Sequence, residues 1–119
     1  MAIHELKVDV LRPEVTARLR FAWSEHFRVP DNSGCYALVT LQSEVLYVGL
    51  ATKSVRDRFV VHLQAPDKRV AGPQGVAYWF YFLLLPAANV GRVEQGWMNQ
   101  AILTTGALPL FNKVESPLY

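Results

Sequence analysis

The sequence predicts an α+β fold: a small antiparallel sheet of three main strands, flanked by helices. Two stretches rich in β-branched and aromatic residues, 35–40 and 45–48, lie either side of Gln42-Ser43-Glu44, the pattern of a β-hairpin. A run at 76–85 is apolar on both of its alternating side-chain sets, as expected of a strand covered on both faces. Around these, apolar residues recur at helical spacing.

Taken in chain order, Pro13 suits the first turn of a helix, where its missing N–H is no loss. Val15, Leu19, Ala22 and Trp23 follow at i, i+4, i+7 and i+8, so residues 1–33 are expected to form a helical extension packed on the domain. Pro30 and the Asp31-Asn32-Ser33-Gly34 cluster end it. After the hairpin a second helix runs from near Ser54 to Gln64, with Val55, Phe59 and Leu63 facing inward and Pro66 beyond its end. Residues 66–75 form a polar, glycine-rich loop. A last helix, about 92–105, puts Glu94 on one face with Trp97, Met98, Ala101 and Ile102, and Gly106 is a suitable stop. There is no repeat and no low-complexity tract, so residues 34–119 and their extension read as one compact domain.

Composition narrows the function classes. The 119-residue length fits one domain, and 51% apolar residues mark a globular chain. No apolar run approaches the roughly 20 residues needed to span a bilayer. One cysteine, Cys35, excludes an internal disulfide. With no secretory pattern at the N-terminus, the expectation is a cytoplasmic protein without membrane contact. The net charge of +2 is small, but the surplus lies in residues 34–85, carried by Lys53, Arg56, Arg58, Lys68 and Arg69. A local basic stripe binds phosphates even when the total is nearly neutral.

The chemistry-bearing residues follow one order. Gly34-Cys35-Tyr36 opens the first hairpin strand and Tyr47-Val48-Gly49 closes the second. Arg58 and His62 then share a helix face at i and i+4. Glu94 follows on the last helix, and Asn112 stands in Pro109-x-x-Asn112. This arrangement resembles the GIY-YIG nuclease domain over roughly residues 33–114, with Cys35 and Val48 at the middle positions of the two signatures. The resemblance implies a metal-dependent endonuclease that hydrolyses DNA phosphodiesters to 5′-phosphate and 3′-hydroxyl ends. It assigns Glu94 as ligand to one Mg²⁺ or Mn²⁺, Tyr36 as general base, Tyr47 as the orienting tyrosine, and Asn112 as a residue fixing the site through backbone hydrogen bonds.

The residues support these roles on physical grounds as well. Phosphodiester cleavage needs a placed nucleophile and compensation of charge on the phosphoryl oxygens. A guanidinium fork at Arg58 suits the scissile phosphate. The spacing from Tyr47 to this arginine is one residue longer than the family pattern, so Arg56 competes for the position and is otherwise a neighbouring phosphate contact. Arg58 and a metal would lower a tyrosine pKa from its usual value near 10. His62 would relay a proton or bond a tyrosine, and Gly49 would let the backbone approach substrate or helix. Lys53, Lys68 and Arg69 are expected on the substrate side. Trp79 and Tyr81 could stack bases but fit a doubly covered strand better, as core residues. RNA stays open as a substrate, and residues 1–33 would cap the fold or form a dimer contact. The alternative is a catalytically weak or inactive nucleic-acid-binding module of the same fold; a third reading, a protein-interaction domain, would show no DNA affinity.

Overall fold

A computed structural model describes residues 6–64, 77–109 and 112. Four strands, β1 (Arg18–Arg20), β2 (Gly34–Val39), β3 (Val45–Ala51) and β4 (Trp79–Leu84), form one sheet in the order β1-β4-β2-β3, antiparallel throughout. The helices α1 (Val55–Leu63) and α2 (Val90–Thr105) cover it.

β2 sits between β4 and β3, and all six of its residues are buried. Side chains alternate across a strand, so β2 feeds two cores. Cys35, Ala37 and Val39 join Val93, Trp97 and Ala101 of α2 on one face. Tyr36 and Leu38 join Val55, Phe59 and Leu63 of α1 on the other, with Phe80 beside them. The hairpin between β2 and β3 closes where Ser43 N–H donates to Thr40 O, with Ser43 at φ 73°.

The helix ends follow their sequence signals. Ser54 caps α1 by accepting a hydrogen bond from Asp57 N–H at 3.1 Å. Gly106 ends α2 at φ 85°, a left-handed conformation that a β-carbon disfavours. The buried stripe of α2 is Val90, Val93, Trp97 and Ala101, and Glu94 and Met98 flank it.

The N-terminal helix expected from residues 13–23 is not formed. Residues 14–17 form no regular element, Arg18–Arg20 is β1, and Trp23–Arg28 is a 3-10 helix. The overriding signal is the alternation Arg18-Leu19-Arg20-Phe21, which has strand period as well as a helical echo. β1 also satisfies the open side of β4: Phe82 N–H donates to Ala17 O at 3.0 Å and Phe21 N–H to Tyr78 O at 2.8 Å. Without it β4 would present unpaired backbone groups. The sheet therefore has four strands rather than three. The expected double cover of β4 holds for Phe80 and Tyr81, whereas Leu84 at its end is exposed.

Residues 6–15 are likewise part of the core. Leu6, Val8, Leu11 and Val15 pack with the α2 cluster. The Trp97 indole N–H donates to Pro13 O at 3.0 Å, and Gln100 exchanges hydrogen bonds with both backbone groups of Arg12. Among the described residues no helix is long and apolar enough to cross a membrane.

Ser54→Ala removes the cap of α1 and is expected to destabilise the domain by about 1 kcal/mol, read as a melting temperature lower by several degrees.

Candidate functional site

The site begins with a tyrosine that strand geometry forces inward. Tyr36 is 1% exposed on the α1 side of β2. A buried hydroxyl needs hydrogen-bond partners. α1 provides them: His62 Nε2 lies 2.7 Å from Tyr36 Oη, and Arg58 Nε–H donates to the same oxygen at 3.4 Å. The i, i+4 spacing read from the sequence is what brings both to one atom.

Tyr47 completes the group from β3. Its ring centroid lies 6.1 Å from that of Tyr36 and 5.0 Å from that of His62, and the residue is half-buried. Gly49 is directly opposite Tyr36 in the β2–β3 register. A β-carbon on Gly49 would stand 2.5 Å from the Tyr36 hydroxyl oxygen, so the close approach this glycine permits is to the phenol.

The electrostatics of the group are set first by burial. Burial, with the neighbouring Tyr47 charge adding to it, pushes the Tyr36 pKa well above its usual value, and the Arg58 contact only partly offsets the rise. Without a metal, Tyr36 is thus a neutral phenol at pH 7, and Arg58 by itself does not make it a phenolate. Desolvation also works against the Arg58 charge, but bonding to Tyr36 and the field of the two tyrosines outweigh it, and the Arg58 pKa is raised.

A cavity of about 270 Å³ opens beside this group, where β3 ends and α1 begins. Lys53, Ser54, Asp57 and Arg58 line it, together with Leu50, Ala51 and Thr52. Leu50 packs toward the α2 core and Ala51 toward the α1 core, so the opening lies at the sheet margin between both faces.

Arg56, the competing arginine, turns elsewhere: its guanidinium donates to Val29 O at 2.7 Å and Phe27 O at 3.3 Å. These bonds dock the 3-10 helix on α1, and Arg58 alone of the two meets Tyr36. Lys68 and Arg69 lie outside the described residues.

Glu94 is not gathered with the tyrosines. It is half-buried on α2, across the sheet from α1, next to Cys35. Cys35 donates to Val90 O at 3.2 Å. Burial, reinforced by the Glu94 charge, pushes its thiol up to about 12. Desolvation raises the Glu94 carboxyl to about 7. Cys35 pairs across strands with Leu50, which lines the cavity, so Glu94 is two side chains away from it.

Among the described residues no group of three or more His, Cys, Asp or Glu side chains converges as a metal cage. One hard-oxygen donor fits Mg²⁺ or Mn²⁺ instead, since Mg²⁺ in particular keeps several waters and takes substrate oxygens beside one or two carboxylates. Asn112 is buried and grips β3: Val48 N–H donates to Asn112 Oδ1 at 2.8 Å, and Asn112 Nδ2–H donates to Val48 O at 2.9 Å.

Thr52, Ser54 and Asp57 line the cavity without having stood out in the sequence as substrate-side residues. The short segment between the end of β3 and the Ser54 cap was the available signal. No family model matches the chain, and no curated protein matches it in sequence.

Two expected outcomes follow from this geometry. Gly49→Ala must displace the Tyr36 phenol and should destabilise the protein by about 1–3 kcal/mol in denaturant titration, the usual range for overpacking. For Glu94, the folded-state pKa is raised above the free value, so its contribution to stability is fully present below about pH 4.5 and lost as pH rises through about 7. Glu94→Gln without metal should therefore gain stability relative to the parent at pH 8 but not at pH 4.5. The gain is about 1 kcal/mol after allowance for solvent screening at a half-open position.

Proposed function

We propose that the protein is a metal-dependent phosphodiesterase, acting as a DNA endonuclease of GIY-YIG type. The observation that carries this reading is the convergence of Arg58 and His62 on the Tyr36 hydroxyl, with Arg58 also lining a cavity that it shares with Lys53. In this reading a phosphate enters the cavity and Arg58 moves to it. The 3.4 Å bond from Arg58 to Tyr36 is long and weakly held, so exchanging it for a charge-assisted bond to phosphate is favourable.

Moving Arg58 also uncovers the Tyr36 hydroxyl. A neutral phenol then serves as base in concert with its neighbour. Tyr36 accepts the proton of the attacking water while passing its own to His62 Nε2, so no free phenolate is needed and the positive charge ends on the imidazole. Tyr47, half-buried beside both, orients the water. Lys53 supplies further positive charge at the cavity mouth.

Glu94 would hold Mg²⁺ or Mn²⁺, which when bound offsets charge on the phosphoryl and leaving oxygens. A substrate lying across the β3 margin would meet Arg58 from the α1 side and Glu94 from the α2 side. Asn112 holds that margin in place through Val48. A cytoplasmic location and a soluble, DNA-facing role accord with this reading.

A second reading, a nucleic-acid-binding module that does not cleave, is favoured by the burial of Tyr36 and the placement of Glu94 across the sheet. One experiment separates the two: plasmid nicking with Mg²⁺, Mn²⁺ or EDTA, beside DNA binding by the same samples. Nicking that needs metal and falls about 10²-fold or more in Arg58→Ala, Glu94→Ala and Tyr36→Phe supports the nuclease. Nicking unchanged in Glu94→Ala removes that residue from the reaction. Retained DNA affinity with no cleavage in any metal selects the binding module.

A further inference from the structure

β1 is the sheet margin opposite β3, and its outer residues form a basic surface that the catalytic reading does not use. Arg18 and Arg20 are both exposed and, two residues apart on a strand, project to the same face. Each guanidinium is laid on aromatic rings. Arg18 sits 3.8 Å from the centroid of Trp79 and 5.8 Å from that of Tyr81, and it donates to Tyr81 Oη at 3.0 Å. Arg20 sits 4.9 Å from the ring of Tyr78, which packs edge-on against Trp79 at 4.9 Å. Among the described residues neither arginine meets a carboxylate, and the rest of their N–H donors have no protein partner.

From this arrangement we infer a second contact surface for nucleic acid, in which Arg18 and Arg20 bind successive phosphates of one strand. The inference rests on DNA being the protein's partner, as in the function proposed above. Charge complementarity selects the occupant, because two exposed cations with no carboxylate partner among the described residues suit a polyanion. Spacing agrees, since alternate strand residues lie about 7 Å apart, similar to neighbouring phosphates along an extended strand. The aromatic stacks hold both guanidinium groups in place before binding, so less ordering is needed when the phosphates arrive. Contacts of this kind fix orientation and add affinity without reading bases. The surface lies across the sheet from the Tyr36 cluster and at the opposite margin, so it would hold DNA beyond the segment in the cavity.

The test uses the full chain in EDTA, with fluorescence anisotropy of a labelled single strand and a labelled duplex across a salt series. Arg18→Gln with Arg20→Gln is expected to weaken binding on the order of tenfold at low salt. It should also reduce the slope of log K against log salt by about 1.4–1.8, since each of the two phosphate contacts contributes about 0.7–0.9. Arg18→Lys with Arg20→Lys should keep the slope yet bind several-fold more weakly, because lysine lacks the planar stack; full affinity in this pair overturns the role given to the rings. Normal binding and slope in the glutamine pair overturn the surface and leave the nuclease reading standing. If the unmodified protein binds no DNA, both fail. Phenylglyoxal labelling of the unmodified protein, read by mass spectrometry, needs no variant to fold: DNA should protect Arg18 and Arg20 several-fold, and equal labelling with and without DNA refutes the contact.

Discussion

Burial of β2 on both faces is the constraint that organises this protein. Six consecutive residues without solvent contact need a cover on each side of the sheet, and α1 and α2 are those covers. Strand alternation then decides which chemistry goes where. Tyr36 is sent under α1, where its hydroxyl must be satisfied in a dry environment, and Cys35 is sent under α2 beside Glu94. The positions of Arg58 and His62 matter because an unsatisfied phenol in that place would cost about 1–3 kcal/mol. The candidate site is thus partly a solution to a folding problem.

The same constraint sets the competition among charges. Tyr36 and Glu94 are both held toward their neutral forms by desolvation, on opposite sides of one strand. Arg58 lies half-buried between core and cavity, held by its hydrogen bond to the Tyr36 hydroxyl. In the proposed function an incoming phosphate would draw the guanidinium outward and so expose the phenol. Structure and electrostatics are therefore coupled at the start of α1, where the Ser54 cap and the cavity lining coincide.

Much of the fold was legible because its signals were local. The hairpin turn at Gln42-Ser43-Glu44, the capped helix after Ser54 and the glycine stop at Gly106 each depend on a few adjacent residues. The i, i+4 relation of Arg58 and His62 was equally local, and it brought both to Tyr36. The N-terminal segment was not legible in the same way, because its conformation depends on a distant partner, β4. Leu19 fits a helical period with Val15 and Trp23 and a strand period with Phe21, and only the open side of β4 decides between them. Arg56 was ambiguous for a similar reason, since the carbonyls of Phe27 and Val29 that hold it come from that same segment. The placement of Glu94 across the sheet depends on how α2 packs, and no spacing within the helix encodes that.

The pairing of Asn112 with Val48 has a further consequence. β3 is a terminal strand, and such a strand offers its free amides and carbonyls to any extended chain that drifts near. The Asn112 carboxamide, one acceptor and one donor in a plane, imitates a single residue of a neighbouring strand and occupies both positions at Val48. A foreign strand attempting to extend the sheet there would first have to expel a buried amide. At the other end of β3 the chain itself does the same work, since Val45 N–H donates to Leu6 O, so a second copy would meet backbone groups already engaged at both places.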